Sequence, residues 1–358
     1  MKYIWLDCDP GHDDATAILL AVHAPDIKLL GVSTSHGNAG ATNTMNNAAR
    51  CLHAFGAPDD IKIYPGAPKP LIRLLRHDPQ IHGPDGLGGV EGLPSITHPE
   101  VAARIQKDIN GQKSAHAIHG LADAIRDTWK DGEGHHVTIV ATGPLTNIAL
   151  FVSVYPDLVT GVDEIVFMGG GVGIGNRSAV AEFNILCDPE AAQIVLDVPV
   201  KKIMIPLNVT HTAILTREIH RKLLSPESPP TETNSPLPAA VTPLRHMLST
   251  LVSFFAESYE STFGFTRGPP IHDALTVAYI FNPQLFGARR FRVDIELGGA
   301  HTAGETVVDI WNYKGCDDTW GRDGKNCIVT ESLNVDRFFE FFLDCVKRCD
   351  QVSPLNLK

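Results

Sequence analysis

The chain has 358 residues, 43% of them hydrophobic, enough to bury a large core as one big α/β domain or as two smaller ones. Its formal net charge of −11 argues against a general nucleic-acid or anionic-membrane binder. No apolar run approaches the roughly 20 residues of a bilayer span, no signal-peptide pattern opens the chain, and seven irregularly spaced cysteines read as reduced thiols, so a cytoplasmic protein without a membrane partner is expected.

Along the chain, apolar β-type runs alternate with amphipathic helical stretches. YIWLD (3–7) leads into helix-like DDATAILLAVHA (13–24), and IKLLGVSTS (27–35) into ATNTMNNAARCLHAF (41–55). IKIYPG (61–66) precedes a long loop with the glycine-rich IHGPDGLGG (81–89), and SAHAIHGLADAIRDTWK (114–130) precedes HVTIVATG (136–143). PLTNIALFVSV (144–154), EIVFMGGG (164–171), DPEAAQIVLD (188–197) and KKIMIPL (201–207) continue the rhythm. This predicts an α/β fold: an open, mostly parallel twisted sheet with helices on both faces.

SPESPPTETNSPLPAAVTP (225–243) holds six prolines and reads as a surface loop. It interrupts a helical region rather than separating two cores, so residues 1–358 are expected to form one domain. From about residue 290, FRVDIEL, ETVVDIW and NCIVTES read as edge strands before a final helix, VDRFFEFFLDCVKR (335–348). Cys345 and the later Cys349, one helical turn apart, read as packing residues rather than a metal pair.

Ligands of open α/β sheets sit outside the carboxyl ends of the strands. There the sequence places Asp7–Asp9, Asn38, Thr142–Gly143–Pro144 and Met168–Gly169–Gly170–Gly171. Single βα turns use such residues for local reasons, but four of them beside an acidic cluster point to a site.

The cluster is Asp7, Asp9, Asp13 and Asp14 in MKYIWLDCDPGHDDA. Two carboxylates about 4 Å apart repel by roughly 1 kcal/mol in water and about 4 kcal/mol at an effective dielectric near 20. Pro10–Gly11 reads as the turn and Asp13 as the N-cap of the following helix, where free amides favour negative charge. A capped helix explains one or two aspartates; an oxygen cage for a hard cation explains all four. With no histidine or cysteine at zinc spacing, Ca²⁺ or Mg²⁺ fits better than Zn²⁺. Gly11 and His12 occupy positions that exclude an EF-hand loop.

DCDPGHDDA also resembles the N-terminal signature of the inosine–uridine-type nucleoside hydrolases, which are calcium-dependent N-ribohydrolases. ATGPLTNIA (141–149), FMGGG (167–171), GNRSAVAEFNILCDPEAA (175–192) and GPPIHDAL (268–275) resemble the family's other blocks, in the same order. The 225–243 and 311–327 segments are similar to fungal and plant members.

The resemblance implies a homodimeric or homotetrameric salvage enzyme. It would hydrolyse ribonucleosides (uridine and inosine, with cytidine and nicotinamide riboside as further candidates) to base and ribose. Ca²⁺ would be held by Asp9, Asp14, the backbone carbonyl of Thr142, and Asp273. Asp9 would be the general base, Asp13 would accept from the ribose 2′-hydroxyl, and Asp7 would support them. Asn176, Glu182 and Asn184, with Phe183 in the same block, would form the ribose subsite with Asn38, and Met168 would pack against the sugar. His272 would stand near the base as a proton donor. His82 would belong to a mobile active-site loop, and Tyr259 would stack on or protonate the base, although an ordinary amphipathic helix also explains its stretch.

Two other readings compete. An apolar strand followed by D-x-D also opens the aspartyl-nucleophile phosphohydrolases, but Gly11 stands where that class carries Thr or Val, and Asp13 and Asp14 have no role there. A non-catalytic calcium or nucleoside binder is the other; every carried-over catalytic position nevertheless holds the expected residue type.

Overall fold

The computed structural model describes residues 1–106, 116–227 and 236–357. Its strands are β1 (Lys2–Cys8), β2 (Ile27–Thr34), β3 (Ile63–Pro65), β4 (Val137–Ala141), β5 (Val162–Met168), β6 (Lys201–Ile205), β7 (Phe286–Ile295), β8 (Thr306–Asp309) and β9 (Cys327–Leu333). Among the described residues they form one sheet in the order β3-β2-β1-β4-β5-β6-β9-β7-β8. Pairing is parallel from β3 through to β9 and antiparallel between β9, β7 and β8.

The principal helices are α1 (His12–His23), α2 (Ala41–Ala54), α3 (Ala117–Trp129), α4 (Thr146–Val154), α5 (Phe183–Cys187), α6 (Pro189–Leu196), α7 (Pro243–Phe263), α8 (Ala274–Phe281) and α9 (Val335–Val352). The β-branched runs of the central strands split between two cores because side chains alternate along a strand. Val140, Val166 and Ile203 join α1, α2, α7, α8 and α9 on one face; Ile139, Ile165 and Phe167 join α3, α4 and α6 on the other. Helices therefore cover both faces of a mostly parallel sheet, as the alternation predicted. Cys345 and Cys349 are fully buried in the first core, as packing residues are.

One expectation needs correcting. Neither NCIVTES nor FRVDIEL forms an edge: β9 lies inside the sheet, with Ile328 paired to both Ile203 of β6 and Arg290 of β7, and β7 lies between β9 and β8. The chain passes out through β7 and β8 and returns between β6 and β7, a non-local insertion that local alternation does not encode; β8 is the edge strand.

Of the proline-rich stretch, residues 228–235 lie outside the described residues. Residues 225–227 and 236–242 carry no helix, and they connect the helix Arg217–Leu224 to α7. Thr242 caps α7 by accepting from the Arg245 amide at 3.3 Å, with Pro243 opening the first turn. The start of the 114–130 segment also falls outside the described residues, and α3 begins at Ala117.

Candidate active site

β1 and β4 lie side by side, and the Thr142 amide donates to the Asp7 carbonyl at 2.8 Å where both strands end. The chain turns through Pro10 straight into α1. Its N-cap is Gly11, not Asp13 as the sequence suggested, because the turn closes two residues earlier. Asp14 at the third helical position reaches back to accept from the Gly11 amide at 3.0 Å. It also accepts from the Asp9 amide at 3.2 Å, the Asn38 side-chain amide at 3.0 Å and the Thr142 hydroxyl at 2.7 Å. Four donors thus fix one carboxylate.

Asp273 occupies the N-cap position of α8, yet its side chain caps nothing. Its carboxylate turns instead toward α1, where oxygens of Asp13, Asp14 and Asp273 lie within 4.8 Å of one another. All three residues are buried. Burial first raises their carboxyl pKa values; for Asp273 repulsion from Asp13, Asp14 and Asp9 adds to it. Oxygen-only donors, buried and mutually repelling, suit a hard cation.

Asp9 stands beside this trio. Its Oδ2 accepts from the Asn38 backbone amide at 2.7 Å, while Oδ1 is buried without a partner. Burial and then Asp14 lift its pKa well above the usual range. Two glycines make room for it: a Cβ on Gly37 would come within 1.9 Å of Asp9 Oδ2, and one on Gly143 within 2.5 Å of Oδ1. The strand-end glycines at these two positions thus admit a carboxylate of the protein itself. Asp7 lies on the far side, its Oδ1 accepting from Ser33 and, at 2.8 Å, from Asn147. Burial raises its pKa to about 7 despite those bonds.

A cleft opens over the trio. It is lined by Asp13, Asp273, Asn38, Thr142 and Met168, by Asn176, Glu182, Phe183 and Asn184, and by His82, Tyr259 and His272. Asp9 and Asp14 lie behind this lining. Every residue expected at the site is therefore at or directly behind one cleft, although several have structural work as well. Glu182 caps α5, accepting from the amides of Asn184, Ile185 and Gly170 at 2.9, 3.1 and 2.9 Å. Asn184 donates to the Thr142 carbonyl at 2.7 Å, which orients that oxygen and occupies one of its acceptor positions. Tyr259 reaches His272, its hydroxyl 2.6 Å from Nε2.

Sequence reasoning missed Asp78 and Arg177, which pair across the cleft; the guanidinium also stands 5.8 Å from the Phe183 ring centre and 5.2 Å from that of Phe263. It also missed His12, which holds the glycine-rich loop: its backbone amide donates to His82 Nδ1 at 3.2 Å, and its Nε2 lies 2.9 Å from the Gly88 carbonyl. Arg177 stood inside a quoted block and His12 inside the acidic motif, but neither spacing reveals a partner on a distant loop.

The chain matches the model of the inosine-uridine preferring nucleoside hydrolases over residues 4–340. This chain belongs to that family. As a nucleoside hydrolase, it is an enzyme that cleaves the N-glycosidic bond of ribonucleosides to base and ribose. Among its relatives, a pyrimidine-specific ribonucleoside hydrolase RihA of Shewanella woodyi is 38% identical over 93% of this chain and 94% of that protein. A probable ribonucleoside hydrolase of Dictyostelium discoideum is 35% identical over 97% and 94%. Among solved structures, a purine-preferring ribonucleoside hydrolase from Gardnerella vaginalis superimposes with a TM-score of 0.79 at 26% identity, covering 98% of this chain and all of that one.

Proposed function

We propose that this nucleoside hydrolase uses Ca²⁺ held by Asp14, Asp273, Asp9 and the Thr142 carbonyl, with Asp9 as general base. The observation that carries the reading is the convergence of Asp14 and Asp273, from distant parts of the chain, with Asp13 as the third member, while Asp9, whose amide donates to Asp14, keeps an unpartnered Oδ1. A bound divalent cation there supplies Lewis-acid activation of water and offsets the buried negative charge.

The residues of the chain do the rest. Asp9 Oδ1 accepts the proton of the attacking water as its oxygen bonds the anomeric carbon and the C–N bond breaks. The surrounding carboxylates stabilise the positive charge that develops on the sugar. Asp13 accepts from the ribose 2′-hydroxyl, while Asn38, Asn176, Glu182 and Asn184 orient the sugar against Met168 and Phe183. Tyr259 and His272, 2.6 Å apart at the cleft wall, hand the leaving base its proton, and His82 closes the same side.

Uridine and inosine are the expected substrates. The 38% identity to a pyrimidine-specific relative supports the pyrimidine reading. kcat/KM for uridine, cytidine, inosine and nicotinamide riboside on one preparation, followed by reducing-sugar release, tests it. Preference for inosine overturns the pyrimidine reading; no ribose from any of them overturns the whole. The phosphohydrolase reading finds no support, since the family match over residues 4–340 is to nucleoside hydrolases.

The same reading makes the enzyme a cytoplasmic homodimer or homotetramer acting in nucleoside salvage. No helix among the described residues is long and apolar enough to cross a membrane.

A further inference from the structure

Behind the cleft wall a hydrogen-bonded series runs through three buried side chains. The Tyr259 hydroxyl lies 2.6 Å from His272 Nε2, and His272 Nδ1 lies 2.8 Å from Thr210 Oγ1. Tyr259 and His272 face the cleft, whereas Thr210 is fully buried and does not line it. Thr210 ends the helical turn Leu207–Thr210 after β6, outside every sequence block that pointed to the family.

Its backbone is held firmly. The Thr210 amide donates to the Pro206 carbonyl at 3.1 Å, and the Leu207 amide to the Gly170 carbonyl at 2.9 Å. The segments carrying Thr210 and His272 are tied to each other as well: the Ile271 amide donates to the Ala213 carbonyl, and the Leu215 amide to the Pro269 carbonyl, both at 2.9 Å. Thr210 and His272 therefore sit on two backbone segments tied to each other by two hydrogen bonds, and the Thr210 hydroxyl, which can donate to the Leu207 carbonyl at 3.4 Å, stands against His272 Nδ1.

Which imidazole nitrogen carries the proton is set by the hydrogen bond the other nitrogen makes, and a positioned ring transfers that proton more effectively than a free one. We propose that Thr210 is a positioning residue of this hydrolase: its hydroxyl holds the His272 ring so that Nε2 and the Tyr259 hydroxyl share the proton delivered to the leaving base. This rests on the role given to His272 and Tyr259 above. The electron pair of the broken C–N bond goes to the base nitrogen, which takes a proton from the Tyr259–His272 pair. Asp9 holds the proton lost by water, and exchange with solvent returns one to the pair, so one water is consumed per turnover.

The test compares natural nucleosides with p-nitrophenyl β-D-ribofuranoside, whose leaving group departs as an anion and needs no proton. Thr210→Val keeps the volume and removes the hydrogen bond. It is expected to lower kcat on uridine and inosine about 10-fold or more, with KM within about twofold, and to cost much less on the p-nitrophenyl substrate. Thr210→Ser restores the nucleoside rate, and Thr210→Ala repeats the loss should the valine variant fold poorly. His272→Ala shows the same split between substrates, and adding Thr210→Val to it brings no further loss. Equal losses on both substrates, or a wild-type nucleoside kcat in Thr210→Val and Thr210→Ala while His272→Ala is impaired, overturns the inference about Thr210. Unimpaired nucleoside turnover in His272→Ala overturns instead the acid role on which it rests.

Discussion

Asp14 and Asp273 are far apart in the chain, yet their carboxylate oxygens lie within 4.8 Å of each other, with Asp13 the third of the group. α1 supplies one side and the N-cap position of α8 the other. At an effective dielectric near 20 a single pair at about 4 Å repels by roughly 4 kcal/mol, and burial raises both carboxyl pKa values. Under the proposed function, a cation between these carboxylates offsets their repulsion.

Asp9→Asn preserves shape and the acceptor for the Asn38 amide but removes the base. Its kcat is expected to fall at least about 10²-fold with circular dichroism and melting temperature little changed. Near-normal turnover in a folded variant contradicts the assignment.

Gly143→Ala reaches the same residue from outside. The added methyl would come within 2.5 Å of Asp9 Oδ1 and must displace it. Activity should drop at least about tenfold while the protein stays folded, a loss of orientation at the reacting atoms. Full activity would show that Asp9 tolerates displacement and does no chemistry.

Asp7 gives a pH dependence. The unfolded chain releases this proton near pH 4 and the folded chain near 7, so between those values the native state binds more protons and stability falls as pH rises. Asp7→Asn removes that dependence. Denaturant unfolding in chelator at pH 5, 6, 7 and 8 should show the stability of Asp7→Asn relative to wild type improving by about 1 kcal/mol or more up to pH 7 and then levelling. A difference that is flat with pH contradicts the raised value.

Asp78 and Arg177 join the segment before the glycine-rich loop to the Asn176 loop. Asp78→Asn and Arg177→Gln should each raise KM more than they lower kcat, and the double variant should be less impaired than the sum of the two, with a coupling of about 1 kcal/mol. Strict additivity in KM would mean that the pair does not act as a clasp.

Much of this was legible in sequence because the signals are local. Alternating runs gave the parallel sheet, and DCDPGHDDA put three of the central aspartates on one turn. What escaped depends on distant segments meeting. β9 enters the sheet between strands far from it in sequence, and Arg177 finds Asp78 across a cleft. The choice of Gly11 over Asp13 as N-cap depends on how tightly Pro10 turns, which residue preference alone does not decide. Likewise the meeting of Asp273 with Asp14 was expected only through the resemblance of GPPIHDAL to a family block; no spacing or periodicity in the chain itself points to it.

The proposed divalent ion between Asp14 and Asp273 should be indispensable to hydrolysis. Ribose release from uridine and inosine, measured on chelator-stripped enzyme before and after Ca²⁺ is returned, tests it most directly. Activity should disappear on stripping and come back with the ion. Undiminished ribose release by enzyme shown to be free of metal contradicts it.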